Sequence, residues 1–247
     1  YLSCPEPYMK RTSHGMILGE NNEKMSKSRG NVINPDDVVA EIGADAFRVY
    51  EMFMGAFDQA IPWSTRGAKG CYRFLERVWK LQNMLTEEED ISEALKASVH
   101  ATIKKVSEDY ERMKFNTAIA AMMSLVNEIY EKGSLSRGDL HMLILLLNPA
   151  APHITEEIRE LQNLGTDPLY KQSWPSYDES ALVKDSVEIA IQINGKVKGR
   201  IDVPTAYGKE QIEKLVMEDS KVQAMLEGKT IRKLIVVPGR IINIVVS

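Results

Sequence analysis

Apolar residues recur at helical spacing through most of the first 176 positions of the chain. Val99, Ile103, Val106 and Tyr110 lie four, three and four residues apart, which places them on one face of a helix. Residues 140–147 are apolar on nearly every side, a pattern typical of the central helix in a bundle. The pattern predicts helices at 35–41 and 44–54 and a third, capped by Ser64, that runs to about residue 85. Three or four further helices follow, of which the first carries the stripe from Val99 to Tyr110 and the next is capped by Asn116.

After residue 186 the helical period gives way to strand alternation. Every second position from 187 to 193 is apolar, and Asn194-Gly195 is a strong hairpin signal. A helical stretch broken near Asp219 follows, and then two more strands. These later elements are predicted at 209–226, 230–237 and 241–246.

The register of the first hairpin depends on which face of the sheet is apolar. A two-residue turn would set isoleucines opposite lysine and arginine side chains. We therefore expect an odd-length loop or a bulge, with Ile193 opposite Val197 and Ile189 opposite Ile201. The other face would then carry a row of three cations, Lys196, Lys198 and Arg200.

These patterns predict a mainly α protein. A loop-rich first region with two short helices leads into an antiparallel helix bundle, and a small α+β domain of the order ββααββ follows. The predicted domains are 1–63, 64–176 and 187–247, with a polar, mobile linker at 177–186.

Composition narrows the functional classes. The chain has 247 residues and a net charge of -4, so any nucleic-acid contact must come from a local basic patch. Cys4 and Cys71 are its two cysteines, which excludes a cysteine-rich zinc site and favours a reducing, cytoplasmic location. The longest nearly apolar run, 140–151, is too short to span a membrane, and no signal peptide is evident. Because the chain begins at Tyr1, we expect a piece of a longer protein.

One short polar run, residues 23–31, carries the residue types of a phosphate-binding loop. Ammonium, guanidinium, hydroxyl and backbone groups can together surround phosphate oxygens. A lysine suits this role because its mobile point charge can follow a departing phosphate. Asn34-Pro35 follows as a helix start, so the loop is expected to be anchored. The residues concerned are Lys24, Ser26, Lys27, Ser28, Arg29 and Gly30.

The letters KMSKS at 24–28, with Gly30-Asn31-Val32 after them, resemble the second ATP-binding signature of class I aminoacyl-tRNA synthetases. The resemblance implies that Lys24 and Lys27 are catalytic, and that Lys27 stabilises the departing pyrophosphate. It also implies ATP phosphate binding by Lys24, Met25, Ser26, Lys27 and Ser28. Ser13-His14-Gly15 is not the other signature of the family, HIGH, because its residue order is wrong and an apolar strand follows it.

Two further segments resemble the same family. Residues 148–157 are similar to a segment of the helical anticodon-binding domains of leucyl-, isoleucyl-, valyl- and methionyl-tRNA synthetases, and His153 there is interpreted as a packing and hydrogen-bonding residue. Residues 43–46 with Arg48 resemble the stretch after KMSKS; the alternative is a plain helix start with Arg48 on the solvent face.

The end of the chain resembles the extreme C-terminal domain of bacterial leucyl-tRNA synthetases. The resemblance lies in Gln192–Val197, Ile231–Lys233 and Val237–Arg240. It implies a module that touches the corner of the L-shaped tRNA through phosphate and sugar contacts. The implied tRNA-binding residues are Lys196, Lys198, Arg200, Arg232, Lys233 and Arg240.

Together these resemblances imply the C-terminal, tRNA-binding part of a leucyl-type enzyme. The full enzyme would ligate leucine to its tRNA through a leucyl-adenylate, with ATP and Mg²⁺. For the piece itself we expect a monomer that neither activates leucine nor edits. We also expect no metal site, no bound cofactor, and a KMSKS loop that is mobile or in a non-productive conformation.

Three alternatives remain open at this point. The first is an isoleucyl- or valyl-type synthetase fragment. The second is a stand-alone RNA-binding or scaffold protein with a vestigial KMSKS loop. The third, a nucleotidyltransferase acting by itself, is weak because no second phosphate-binding element is evident in the sequence.

Overall fold

The computed structural model of the chain describes residue 3 and residues 8–182, 186–204, 207–226, 228, 231–237 and 241–247. The chain divides into two compact units, Tyr1–Leu182 and Val183–Ser247. The first unit is helical and the second is a small α+β unit, so the predicted mainly α class is confirmed. Among the described residues, no helix combines the length and apolar character needed to span a bilayer.

The first unit begins with a parallel pair of two-residue strands, β1 (Ile17–Leu18) and β2 (Ile61–Pro62). Between them lie the KMSKS loop and two short helices, α1 (Pro35–Ile42) and α2 (Ala44–Phe53). The Asn34 side chain accepts a hydrogen bond from the backbone N of Asp36, so the predicted N-cap of α1 is confirmed. This cap fixes the downstream end of the loop.

In the described residues, five further α-helices complete the first unit. The central one is apolar on nearly all sides, as predicted, and its residues Leu140, Leu143, Ile144, Leu146 and Leu147 are fully buried. It starts at a capping box in which the side chains of Ser136 and Asp139 each bind the other's backbone N–H. The helices are α3 (Thr65–Lys80), α4 (Lys96–Glu111), α5 (Phe115–Lys132), α6 (Arg137–Leu147) and α7 (Pro152–Leu161).

Apart from one-residue differences at the ends of α1 and α2, two predicted helix boundaries differ from the structure. Helix α3 ends at Lys80, and a 3-10 turn, Leu81–Met84, continues toward the predicted end at residue 85. The predicted cap at Asn116 is wrong, because α5 already begins at Phe115. The chain reverses at Met113, whose φ is +55°. After this reversal the helix begins at Phe115, one residue before Asn116.

The first part of the predicted linker is held against α4. Lys104 of α4 lies 3.1 Å from the Glu179 carboxylate, and its Nζ lies 5.1 Å from the centre of the Tyr177 ring. The backbone N of Asp178 donates to Nδ1 of His100 at 3.0 Å, and Ala181 is buried. Residues 177–182 therefore belong to the helical unit, and residues 183–185 lie outside the described residues.

In its described residues, the second unit consists of a four-stranded sheet and two helices. The spatial order is β4-β3-β6-β5, in which β3 and β6 are parallel and the outer pairs are antiparallel. One face carries a core that includes Ile191, Ile244 and Val216. Helix formation stops at Asp219, as predicted. The elements are β3 (Ser186–Ile193), β4 (Lys196–Pro204), α8 (Lys209–Glu218), α9 (Ser220–Leu226), β5 (Ile231–Val237) and β6 (Ile241–Val246).

The turn of the first hairpin differs from the predicted register. Asn194 and Gly195 have φ values of +50° and +78°, and positive φ at both central residues is the signature of a type I′ turn. This two-residue turn pairs Ile193 with Lys196. The predicted pairing of Ile193 with Val197 is therefore wrong.

A bulge in β4 then corrects the register. Lys198 is the extra residue, and beyond it Ile189 lies opposite Ile201, as predicted. Directly opposite residues share a face, so Lys196 falls on the isoleucine face and Arg200 on the other face. The predicted row of three cations on one face is therefore wrong.

Candidate functional site

A single asparagine closes the KMSKS loop. Oδ1 of Asn31 accepts from the backbone N of Ser26 at 2.9 Å, and its Nδ2 donates to Oε1 of Glu23 at 2.9 Å. The same Nδ2 also donates to the carbonyl of Lys24 at 3.4 Å. Asn31 thus joins both ends of the loop, a role that the sequence resemblance did not assign to it.

The tip of the loop is a 3-10 turn, Lys27–Arg29. Gly30 ends this turn with a φ of +64° and donates its N–H to the carbonyl of Lys27 at 3.1 Å. The side chain of Met25 packs against the core of the first unit. The partly buried Met25 side chain and the tight turn therefore hold the loop with its cationic side chains at the surface.

The loop presents positive charge to solvent. Lys24, Lys27 and Arg29 are exposed, and none of the ion pairs within the described ranges involves them. The hydroxyls of Ser26 and Ser28 lie 3.2 Å apart beside these cations. Three cations without an acidic partner and two hydroxyls form a set of donors suited to phosphate oxygens.

A cavity of about 470 Å³ lies between the second half of the loop, α1 and α3, and its lining is acidic. Negative carboxylates disfavour phosphate groups at close range. The cationic loop, and not this cavity, is therefore the candidate phosphate site. The lining carboxylates belong to Glu20, Glu23, Asp37 and Glu41.

Arg48 of α2 binds the connection that leads into α7. Its Nη2 donates to the carbonyl of Pro149 at 2.9 Å, and its Nε donates to the carbonyl of Ala150 at 3.2 Å. Arg48 is exposed, as the solvent-facing alternative expected, but its guanidinium also binds these two carbonyls. Two segments that resemble the same family, about 100 residues apart in sequence, meet at this side chain.

Asp45 completes this connection, which we call the α2–α7 clasp (Asp45, Arg48 and residues 149–154). The Asp45 carboxylate accepts from the backbone N of Ile154 at 2.7 Å and from Nδ1 of His153 at 2.7 Å. A carboxylate at the first turn of a helix satisfies free N–H groups and complements the helix dipole. The hydrogen-bonding role predicted for His153 is confirmed, whereas the sequence did not identify Asp45 as its partner.

The cations predicted to bind tRNA lie on both faces of the second unit's sheet. Lys196, Lys198, Arg200, Arg232 and Lys233 are all exposed. Lys233 lies opposite Val245, on the face that also carries Arg200, and these two residues occupy opposite edge strands. Nε of Arg232 donates to the hydroxyl of Ser247 at 3.0 Å. Arg240 lies outside the described residues.

Comparisons with known proteins agree with the sequence resemblances. Residues 2–64 match the family model described as tRNA synthetases class I (I, L, M and V), and residues 93–213 match the anticodon-binding domain of tRNA ligase. The leucine–tRNA ligase of Alkaliphilus oremlandii (strain OhILAs) is 55% identical over 246 residues, which cover 99% of this chain and 30% of that protein.

A solved structure gives the same result. The chain is similar to LeuRS (agnB2) of Agrobacterium radiobacter K84, determined as a ternary complex with tRNA and LeuAMS, with a TM-score of 0.68 and 33% identity. The similarity covers 98% of this chain and 34% of that one. The chain therefore spans about a third of the length of these relatives. Over nearly its whole length the chain is similar to leucine–tRNA ligase, and its matches to the class I tRNA synthetase model and the anticodon-binding model follow one another in sequence.

Proposed function

We propose that this chain is the C-terminal, tRNA-binding part of a leucine–tRNA ligase. The full enzyme would join leucine to its tRNA through a leucyl-adenylate made from ATP. The observation that carries this proposal is the 55% identity to a leucine–tRNA ligase across 246 residues, which include the KMSKS loop, the clasp and the C-terminal unit. A monomeric, cytoplasmic protein is part of the proposal.

The KMSKS loop would stabilise the negative charge of the departing pyrophosphate. Lys24 and Lys27 are exposed, without acidic partners within the described ranges, and they stand on a loop whose ends are fixed by Asn31. Positive groups aimed at developing charge accelerate a reaction because they bind the transition state more tightly than the ground state. Ser26 and Ser28 would donate their hydroxyls to the phosphates, and Met25 would hold the loop to the core.

Mg²⁺ would enter with the phosphates of ATP, and it neutralises their charge when bound. Within the described ranges, no three His, Cys, Asp or Glu side chains are grouped as ligands for a metal ion. The proposal assigns Mg²⁺ to the nucleotide and assigns no residue of this chain to metal binding. ATP and leucine would be bound only together with the remaining part of the enzyme.

The C-terminal unit would bind the tRNA backbone. Lys196, Lys198, Arg200, Arg232 and Lys233 are exposed cations on a small sheet, and Arg240 adds a further positive charge to this unit. Contacts between such cations and phosphates give affinity that falls as the salt concentration rises, without reading sequence. The division of these cations between two faces favours Arg200 and Lys233 as one contact group.

The proposal predicts that activation needs both Lys27 and the rest of the enzyme. The chain should bind a leucine-accepting tRNA, but it should show no leucine-dependent pyrophosphate exchange by itself. A chimera that joins the upstream part of the Alkaliphilus ligase to this chain should restore the exchange. In that chimera Lys27→Ala should lower kcat by about 10²–10³-fold, because a charge that stabilises the transition state is lost.

Lys10→Ala is the matched control, because Lys10 is an exposed lysine of the same region outside the loop. Exchange by the chain alone would contradict the requirement for the upstream part. An unchanged kcat in the Lys27→Ala chimera would contradict the role assigned to the loop.

A further inference from the structure

Glu23 and Asn31 flank positions 24–30 of the KMSKS loop, and their side chains are bonded to each other. Nδ2 of Asn31 donates to Oε1 of Glu23 at 2.9 Å, and both residues are half-buried. Because this bond joins the two flanks, residues 24–30 form a closed loop with a fixed base. We call the bonded pair the Glu23–Asn31 latch.

The latch is packed against a turn that has no side chain at the point of contact. Gly19 is buried, and its N–H donates to the carbonyl of Glu23 at 2.8 Å. A Cβ on Gly19 would lie 2.4 Å from Oε1 of Glu23 and 3.3 Å from Nδ2 of Asn31. The absence of a side chain at this glycine therefore makes room for the carboxylate and the amide to meet.

The latch needs the amide of an asparagine, because the two ends of that group have different partners. Oδ1 of Asn31 accepts from the backbone N of Ser26 at 2.9 Å, while Nδ2 donates to Glu23. An amide offers an acceptor and a donor together, whereas an ionised carboxylate offers acceptors alone. Ser26 stands between Lys24 and Lys27, so Asn31 fixes the backbone from which both lysine side chains extend.

The latch also keeps an acid away from the cations of the loop. Glu23 directly precedes Lys24, yet no ion pair in the described part of the chain involves Glu23. Its carboxylate binds the amide of Asn31 instead. A carboxylate released beside Lys24 would oppose the positive charge that the loop offers to phosphate groups. The latch therefore affects both the position and the charge of the loop.

We propose that Asn31 and Glu23 are positioning residues for leucine activation, because the latch holds the backbone that presents Lys24 and Lys27 to the departing pyrophosphate. Groups that are already in place stabilise a transition state without reorganisation at the moment of reaction. Neither latch residue contacts a phosphate in this proposal, and both act through the two lysines. The inference rests on the proposed function, since the reaction is the activation step of that enzyme.

An exchange of donor and acceptor tests the latch, with leucine-dependent pyrophosphate exchange measured in the chimera that carries the upstream part of the Alkaliphilus ligase. Asn31→Asp sets two carboxylates against each other, so kcat should fall about 10- to 100-fold. Adding Glu23→Gln supplies an amide that can donate to the aspartate and restores the wild-type net charge. This double variant should recover most of the lost kcat. The KM for leucine should stay within about twofold of wild type, because the loop acts on the phosphates.

Variants of Glu23 separate position from charge. Glu23→Ala removes an acid beside the lysines, so an effect of charge alone would raise kcat, whereas loss of the latch should lower it about 10-fold. Glu23→Gln keeps an acceptor for Asn31, so kcat should fall much less than in Glu23→Ala. Asn21→Asp is the matched control, because Asn21 is an exposed asparagine of the preceding turn. It adds the same charge as Asn31→Asp outside the latch, and solvent screening should limit the change in kcat to less than about twofold.

A double-mutant cycle with Lys27 distinguishes a positioning residue from a purely structural one. In the wild-type background, Asn31→Ala should lower kcat about 10-fold. In the Lys27→Ala background the same substitution should lower it much less, because a main group that Asn31 positions is already missing. Circular dichroism establishes that each variant is folded.

The outcomes separate this inference from the proposed function. If Lys27→Ala lowers kcat but Asn31→Asp does not, the latch has no role in activation, and the inference is overturned while the proposed function stands. A rise in kcat in Glu23→Ala, or equal losses from Asn31→Ala with and without Lys27, would likewise overturn it. An unchanged kcat in Lys27→Ala would overturn the role of the loop in the proposed function and the role of the latch with it.

Discussion

Asp45 shows how one buried carboxylate can hold a helix start. It is only 9% exposed, and it accepts hydrogen bonds from the backbone N of Ile154 and from the backbone and ring of His153. Pro152 has no N–H, so these are the first available donors of α7. Arg48 binds the preceding carbonyls from the same helix as Asp45, and the two side chains together fix the start of α7 to α2.

Asp45→Ala should therefore destabilise the helical unit by about 1–3 kcal/mol, because backbone donors at the start of α7 lose their acceptor. Urea unfolding followed by tryptophan fluorescence measures the change. Glu131→Ala is the control, since Glu131 is an exposed acid on α5 and its removal should change stability by less than about 0.5 kcal/mol. Equal effects of the two substitutions would show that the clasp adds nothing to stability.

At the scale of single residues, the sequence predicts what a group of side chains can bind better than it predicts the hydrogen-bond partner of each side chain. The residue types of the KMSKS loop are adjacent in the chain, so their phosphate-binding character could be recognised directly. Arg48 and Asp45 bind groups about 100 residues away, and no local pattern identifies such partners. Asn31 was visible in the motif, but its bonds to both ends of the loop depend on how the loop folds.

At the scale of elements, the caps and the hairpin show which local signals decide a structure. Asn34 and Ser64 cap their helices as their sequence context predicts. Asn116 does not, because the preceding reversal at Met113 sets the start of α5. In the second unit, the need for one apolar face correctly predicted a bulge. Because Asn194-Gly195 forms a two-residue turn, the bulge lies at Lys198 in β4 and not at the turn itself.

Two glycine substitutions, one in the hairpin turn and one in α3, are expected to change stability in opposite directions. Gly195→Ala should cost about 1–2 kcal/mol, because an alanine at a φ of +78° is strained even though no atom lies within 4 Å of its Cβ. Gly70 in α3 also has open space around it, but its helical backbone suits alanine. Gly70→Ala should therefore stabilise the first unit by about 0.5–1 kcal/mol.

Amide hydrogen exchange of β3 reports the effect of Gly195→Ala, and tryptophan fluorescence during urea unfolding reports the effect of Gly70→Ala. A neutral Gly195→Ala variant would show that the hairpin can close through another turn. Destabilisation by Gly70→Ala would indicate that α3 needs the freedom of glycine at this position.

At the scale of the whole molecule, each unit has a core of its own. The first core includes the fully buried Leu146 of the central helix, and the second includes the fully buried Ile244 of β6. The two sets of buried residues share no member. The sequence predicted this division from the change of period after residue 186, because helical and strand patterns bury different faces.

The positions of the tryptophans allow the two cores to be tested separately. All three tryptophans, Trp63, Trp79 and Trp174, lie in the first unit, so their fluorescence follows that unit alone. Leu146→Ala should lower its stability by about 2–5 kcal/mol and shift the fluorescence midpoint in urea to a lower concentration. Ile244→Ala should cost a similar amount in the second unit, visible in amide exchange of β6, and leave the fluorescence midpoint in place. A fluorescence midpoint shifted equally by both substitutions would mean that the two cores unfold as one cooperative structure.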